Sequence, residues 1–199
     1  MSLAKLKQQL TTSGNNEIYR FIAIDPGTDT LGLSLCEINL KSLEFKVCDV
    51  ITLYASKNMS FYPGVVETHG EKQARLYAHR RSLVDLFNYW RPDAIVSESP
   101  FLGRFAAAFG ALVECMQIIR EAVMEYRPYM ELETVDPPSA KKSMNVKAKG
   151  SSKDDIQRAV ISDTTIVFAD GLSRLGHSEH GYDSIAVAKW KYLNFIGRW

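Results

Sequence analysis

Four residues of this sequence combine the side-chain types and the positions that metal-dependent chemistry requires. Asp25 follows an apolar run at the start of a turn, and Glu98 ends a second apolar run. Asp183 lies near the start of a C-terminal helical pattern, three residues after His180. Ligands of open α/β sheets bind at the carboxyl ends of the strands. If the strands that end at Asp25 and Glu98 are parallel neighbours, both carboxylates enter one crevice and the last helix covers it.

Three converging carboxylates repel one another unless a cation lies between them. Carboxylate oxygens are the ligands that Mg²⁺ and Mn²⁺ prefer, so this set predicts a site for two Mg²⁺ ions, with Mn²⁺ as a substitute. The three carboxylates, two divalent ions and one phosphodiester together have no net charge. Two such ions can activate an attacking water and stabilise the leaving oxygen.

Each of these residues also has an ordinary structural interpretation. An aspartate before Pro26-Gly27 is common in turns, and an acid in the first turn of a helix is favoured by the helix dipole. Glu98 alone is compatible with a loop carboxylate, and His180 alone with a surface histidine. The chemical interpretation therefore depends on the combination and order of the four residues.

Apolar patterns in the first half of the chain predict the strands that position Asp25. We expect strands over residues 19–24, 31–38 and 44–54, which form an antiparallel meander. Residues 55–69 are predicted to be a loop longer than most. Residues 1–18 are polar and are predicted to be a flexible lead-in to one domain that continues to residue 199.

Helical and strand patterns alternate in the second half. In chain order we predict a helix over 73–90, a strand over 94–97, a helix over 103–127, a strand over 132–135, a helix starting at Asp136, a helix over 153–162 and a helix over 182–195. This order predicts an α/β fold with a mixed five-stranded sheet, of which three strands are an antiparallel meander and two are parallel. Helices are expected on both faces.

Lysines are concentrated in one segment that has no acidic residue between Asp136 and Asp154. They are Lys141, Lys142, Lys147, Lys149 and Lys153. The segment is compatible with a surface that follows phosphate groups, and a solvated lysine-rich face is the alternative. Gly150-Ser151-Ser152 allows close backbone approach to a phosphate but lacks the spacing of a P-loop. Arg104 is a further candidate for phosphate contact.

The bulk composition excludes some classes and leaves the partner open. The chain has 199 residues, 46% of them hydrophobic, which is typical of a globular protein rather than a disordered, collagenous or coiled-coil chain. The 24 basic and 23 acidic residues leave a net charge of +1, so bulk charge indicates no nucleic acid. Three scattered cysteines favour a reducing, cytoplasmic environment. We expect no membrane partner, since no apolar run approaches the length of a membrane helix.

Four segments in this order resemble the motifs of the RuvC family of Holliday-junction resolvases. Residues 21–33 are similar to the first motif, and residues 92–101 to the second, in which a glutamate follows a buried strand. Residues 135–158 are similar to the basic segment. Residues 180–188 are similar to the C-terminal motif, and the likeness covers roughly residues 20–195. The resemblance implies an RNase H-like fold and a Mg²⁺-dependent endonuclease that nicks two strands of a four-way DNA junction symmetrically.

The resemblance also assigns roles at the acidic cluster. Asp25, Glu98 and Asp183 match the metal ligands. His180 stands where many members have aspartate and some have histidine. It is therefore either a fourth metal ligand or a proton acceptor for the attacking water.

Two further roles and a location follow from the same resemblance. Phe101 stands where the family has an aromatic ring that stacks on junction bases, and Lys153 where it has a lysine that supports catalysis. The spacing of Lys153 from the preceding glycine is one residue shorter than expected. The implied location is a bacterial or phage-like cytoplasm, with an organelle left open.

The helix over residues 106–124 is apolar almost all round. The sheet accounts for one face, and the rest needs another helix or a second subunit. A homodimer is therefore expected, and its two-fold axis suits a junction with two equivalent scissile strands.

Other functions remain open at this point. Residues 25–28 also resemble a phosphate-binding turn of actin-like ATPases and sugar kinases, which need two such domains where 199 residues supply one. A nuclease that acts on other branched DNA or on RNA–DNA hybrids is a stronger alternative. A junction-binding protein that does not cleave is less favoured, because all the expected carboxylates are present.

Overall fold

The computed structural model describes residues 17–101, 106–147 and 152–197, and these form a six-stranded mixed sheet. The strands are β1 (Ile18–Asp25), β2 (Thr30–Asn39), β3 (Phe45–Tyr54), β4 (Ala94–Glu98), β5 (Leu132–Val135) and β6 (Ile166–Phe168). Their spatial order is β5-β4-β1-β2-β3-β6. β1, β2 and β3 form an antiparallel meander, β4 and β5 run parallel to β1, and β6 runs parallel to β3.

The predicted mixed α/β sheet is confirmed, but the number of strands was one too low. β6 has three residues and pairs with Phe45, Lys46 and Val47 of β3. A strand this short shows no alternation along the sequence, and only its pairing with β3 defines it. It extends the sheet at the edge away from Glu98.

Six helices cover the sheet in the described part of the chain. They are α1 (Ala55–Asn58), α2 (Pro63–Trp90), α3 (Ala106–Tyr126), α4 (Pro137–Ser143), α5 (Lys153–Ser162) and α6 (Glu179–Phe195). A 3-10 turn, Met59–Phe61, joins α1 to α2. None of the described helices is both long and apolar enough to cross a lipid bilayer.

Two predicted boundaries were wrong. The expected loop over residues 55–69 is mostly helical, because Pro63 occupies the first position of α2, where a proline fits. Gly70 has a φ of 78° and interrupts α2, so the apolar periodicity begins only after it. The last helix begins at Glu179 rather than at residue 182, because the Ser178 side chain caps it by accepting a hydrogen bond from the Gly181 N–H.

The two faces of the sheet bury two separate apolar clusters. Phe21 and Ala23 of β1 pack with α5 and α6 on one face, and Ile22 and Ile24 pack with α2 and α3 on the other. All four side chains are fully buried, and complete burial of a large apolar side chain contributes about 1.5–3 kcal/mol. Burial on both faces therefore fixes which side chains of β1 point to which face of the sheet. It also fixes the face on which the polar residue at the end of the strand lies.

Candidate active site

Asp25 and Glu98 lie side by side at the carboxyl ends of β1 and β4. The two strands are parallel, and Ile24 pairs with Ser97, so the next two residues are also neighbours. Alternation along each strand continues from Ala23 to Asp25 and from Val96 to Glu98, which places both carboxylates on the face covered by α6. The predicted parallel pairing of these strands is confirmed.

The first turn of α6 lies directly on β2 because Gly32 has no side chain. Gly32 pairs with Asp25 in the sheet. A Cβ atom at Gly32 would lie 1.9 Å from the carbonyl oxygen of His180 and 2.9 Å from its Cβ atom. Only glycine permits this approach, and the approach brings the His180 side chain above Asp25.

Hydrogen bonds between hydroxyl groups hold the start of α6 against the sheet. Ser184 donates to the carbonyl of Gly181 and accepts from Ser34 at 2.6 Å, and this pair is buried. Thr52 of β3 shares a second hydrogen bond of 2.6 Å with Ser178, the residue that caps α6. These bonds fix the position of the helix end that carries His180 and Asp183.

His180 and Asp25 form a direct contact. His180 Nδ1 donates to Asp25 Oδ2 at 2.6 Å, and Asp25 is only 8% exposed. This hydrogen bond is the main cause that raises the pKa of His180, in opposition to its partial burial. The imidazolium form is therefore favoured while Asp25 accepts its proton.

The other two carboxyl groups lose protons less readily than an exposed acid. Burial, followed by the charges of Asp25 and Asp183, raises the pKa of Glu98 to about 8. Burial, followed by the charges of Asp25 and Glu179, raises the pKa of Asp183 to about 7. The positive charge of Lys141 opposes both shifts. The three acids are thus close enough to repel one another.

The donor chemistry of this cluster fits a hard divalent cation. In the described ranges, no group of three or more His, Cys, Asp or Glu side chains is already arranged to hold a metal ion. However, the ligand atoms on offer are carboxylate oxygens, which Mg²⁺ and Mn²⁺ prefer. Their mutual repulsion is the electrostatic condition that a bound cation relieves. Asp25, Glu98 and Asp183 are the residues that would hold it, with His180 beside them.

The remaining candidates divide into three groups. Phe101 follows β4 and is 59% exposed, three residues beyond Glu98. Lys141 is half-buried in the last turn of α4, and its positive charge lowers the pKa values of Glu98 and Asp183. Lys142 and Lys147 are exposed.

The other basic candidates are not described by the structure. Arg104 and Lys149 lie outside the described residues. Lys153 begins α5, as the predicted helix boundary requires, but its side chain is outside the description. Their predicted contacts with DNA stay predictions.

Two residues that support the site were not singled out from the sequence. A glycine inside an apolar strand pattern marks a close approach of another backbone, so Gly32 carried a usable signal. Cys115 of α3 carried none, because a thiol in an apolar helix is an ordinary core residue. Its Sγ donates to the Gly27 carbonyl at 3.5 Å and so supports the turn that follows Asp25.

Comparison with solved structures identifies the fold. RuvC from Thermus thermophilus has a TM-score of 0.65 and 17% identity, over 90% of this chain and 97% of that chain. The same protein in complex with a Holliday-junction substrate has a TM-score of 0.64 and 16% identity, over the same shares. The yeast mitochondrial Holliday-junction resolvase Ydc2 has a TM-score of 0.61 and 13% identity, over 100% and 96%.

The fowlpox virus Holliday-junction resolvase is also similar, with a TM-score of 0.54 and 10% identity over 89% of this chain and 99% of that chain. No family model and no curated protein matches the sequence. The chain therefore has an α/β fold of the RNase H-like class. More particularly, it has the RuvC-like resolvase fold, and the resemblance found in the motifs is confirmed at the level of the fold.

Proposed function

We propose that this protein is a metal-dependent endonuclease that cuts DNA at four-way junctions. One observation carries the proposal: Asp25, Glu98 and Asp183 meet under the first turn of α6, at the carboxyl ends of the central parallel strands. Strand carboxyl ends are where α/β folds bind their ligands. The resolvase fold adds the class of substrate.

The side chains of the cluster have different proposed roles in metal binding and proton transfer. Asp25, Glu98 and Asp183 would hold two Mg²⁺ ions, or Mn²⁺ in their place, which would supply charge stabilisation at the phosphate and a water of lowered pKa. His180 holds a proton at Nδ1 against Asp25 in the metal-free protein. With a metal ion on that carboxylate, the His180 imidazole would be neutral and could accept a proton from the attacking water. Lys153 supports catalysis from the start of α5.

Contacts with DNA are assigned to residues around the cluster. Phe101 stacks on bases near the branch point, as its exposed position beyond β4 allows. Lys141 is near enough to the acids to orient the scissile phosphate. The more distant phosphates are contacted by Arg104, Lys142, Lys147 and Lys149.

A homodimer completes the proposal. Val113 and Met124 of α3 are 43% and 60% exposed, and this helix is the one whose apolar surface exceeds what the sheet covers. A two-fold dimer through α3 presents two equivalent sites to two equivalent strands. Paired symmetric nicks follow from that symmetry.

The test compares cleavage of a synthetic four-way junction, a replication fork, a plain duplex and an RNA–DNA hybrid, in Mg²⁺, Mn²⁺ or EDTA. Asp25→Asn should abolish cleavage and leave junction binding largely intact, whereas Glu131→Gln, at an exposed acid away from the cluster, should change neither. Normal cleavage by Asp25→Asn would remove the metal assignment. Equal cleavage of the duplex and the junction would leave a nuclease but remove the resolvase.

A further inference from the structure

An exposed aromatic segment follows β3 at the same end of the sheet as the acids. We call the residues from Tyr54 to Tyr62 the aromatic shelf. They contain the end of β3, all of α1 and the 3-10 turn. Phe61 is 77% exposed and Tyr54 is 37% exposed, although rings of this size are normally buried. None of the roles assigned above uses these side chains.

The sheet register places the shelf close to Asp25. Gly32 pairs with Asp25 on one side and with Thr52 on the other, so the three residues form one row across β1, β2 and β3. Strands are about 4.8 Å apart and advance about 3.4 Å per residue, so the Cα atoms of Tyr54 and Asp25 are about 12 Å apart. One strand of B-DNA advances about 3.4 Å per nucleotide. Tyr54 is therefore three to four nucleotides from a phosphate bound at the acids.

Tyr54, the first residue of the shelf, lies on the same face as the acids, whereas Asn58 contacts α2, which covers the other face. Thr52 contacts Ser178 at the start of α6, so its side chain is on the α6 face of β3. Tyr54 is two residues further along the strand and shares that face. A DNA strand that crosses the acidic cluster can therefore reach Tyr54 without passing around the sheet.

The charge of the shelf suits DNA. From Tyr54 to Val66 the sequence contains no acidic residue, and Lys57 is its charged residue. The ammonium group of Lys57 lies 4.4 Å from the centre of the Tyr54 ring. A cation beside an exposed ring is the combination that single-stranded nucleic acid recognises, because the cation attracts phosphate and the ring stacks on a base.

Hydrogen bonds hold the shelf in place before any ligand binds. The Ala55 N–H donates to the Asp29 carbonyl at 2.7 Å, and the Ser56 N–H and hydroxyl donate to the two carboxylate oxygens of Asp29 at 2.9 and 3.2 Å. Asn58 donates to Ser82 Oγ of α2 at 3.3 Å. Asp29 belongs to the same turn as Asp25, so these hydrogen bonds link the shelf to the turn that carries the acid. Because the shelf is already ordered, binding costs little conformational entropy.

We propose that the aromatic shelf is a second DNA-binding surface, which stacks with unpaired bases of the branched substrate on the opposite side of the acids from Phe101. Phe101 follows β4, and the shelf follows β3, with β1 and β2 between them. The scissile strand then passes between two aromatic surfaces. The inference rests on the proposed function, because it assigns bases of the same DNA substrate to the shelf.

The experiment replaces Phe61 by alanine and uses Tyr89→Ala as its matched control. Tyr89 is 81% exposed near the end of α2, at the opposite end of the sheet, so both variants remove one exposed ring. Affinity for a fluorescent four-way junction is measured in EDTA. Stacking on one base predicts that Phe61→Ala weakens binding about fivefold or more, whereas Tyr89→Ala stays within about twofold. 2-Aminopurine placed singly at successive positions beside the nick should be quenched at one of them by wild type and not by Phe61→Ala.

The outcomes separate this inference from the proposed function. If wild type neither binds nor cuts any branched DNA, the proposed function fails. If wild type binds and cuts, but Phe61→Ala matches it in affinity and quenching, the shelf inference alone is overturned. Sedimentation of both variants supplies a third outcome, because a loss of dimer in Phe61→Ala would make the shelf a contact between copies of this chain and overturn the DNA assignment. Unchanged circular dichroism shows that the variants fold.

Discussion

Replacing Glu98 by glutamine should stabilise the metal-free protein at alkaline pH. The pKa of Glu98 is about 8 in the folded chain, against 4.5 for an ordinary glutamate. An acid with a raised pKa binds its proton more tightly in the folded state than in the unfolded state, so stability is present below pH 4.5 and is lost as the pH rises towards 8. Each pH unit in that window costs about 1.4 kcal/mol. The full window of about 3.5 pH units therefore costs up to about 5 kcal/mol.

Burial is the largest cause of this cost, followed by repulsion from Asp25 and Asp183. The polar amide of glutamine would be buried at the same place, so part of the cost remains. If somewhat less than half is recovered, Glu98→Gln gains about 2 kcal/mol, and a domain of this size then melts about 4–8 °C higher. Thermal unfolding in EDTA at pH 8 measures this gain. At pH 5 the difference should nearly vanish, because the wild-type carboxyl group keeps its proton there.

Metal provides the complementary measurement. Mg²⁺ binds the folded state, so it should raise the melting temperature of wild type at pH 8 and raise that of Glu98→Gln much less. Glu131→Gln, at an exposed site, should behave as wild type throughout. The reasoning is refuted if Glu98→Gln melts at the wild-type temperature at pH 8, or if its offset is the same at pH 5 and pH 8.

Two further predictions concern Gly32 beside the site and His79 in the interior of α2. Gly32→Ala should abolish cleavage and lower the melting temperature, because the new Cβ would lie 1.9 Å from the His180 carbonyl oxygen; wild-type cleavage rates would show that α6 does not need this approach. His79 is fully buried in α2 and its pKa is lowered to about 4, mainly by burial. The free energy of unfolding should therefore fall by up to about 3 kcal/mol as the pH falls from 6.5 towards 4. In urea unfolding measured against pH, His79→Phe should remove most of this decrease. A profile that is unchanged by His79→Phe would contradict this assignment.

The predictable part of the fold was the part with strong periodicity. β4 and β5 were predicted almost to the residue: β4 is a short apolar run, and β5 (Leu132–Val135) is a short segment that ends at the helix start signal of Asp136. Pro63 and Gly70 misled the prediction of a loop, since both residues usually interrupt helices. In the structure the proline begins α2 and the glycine bends it, and only packing against the sheet decides between these outcomes.

Site residues at strand ends could be predicted from the sequence. Site residues whose role depends on contacts between segments far apart in the sequence could not. Asp25 and Glu98 could be placed because parallel strands bring their carboxyl ends together. The effect of Lys141 on the acids depends on how α4 packs, and no local pattern contains that information. Gly32 carries the signal of a close backbone approach, but the partner that approaches it is 148 positions away at His180.

The net charge of +1 is a sum over acidic and basic residues that lie in different parts of the structure. Burial, and after it mutual repulsion, raises the pKa values of Glu98 and Asp183 above 6, while Lys141 and Lys142 lie on α4. The charge of Lys141 lowers both pKa values but does not offset burial and repulsion, since both remain raised. The negative charge that the lysines do not offset is therefore local to the cluster. A cation that binds there is stabilised by its attraction to this charge. Bulk charge averages these two regions, and for that reason it carries no information about the partner.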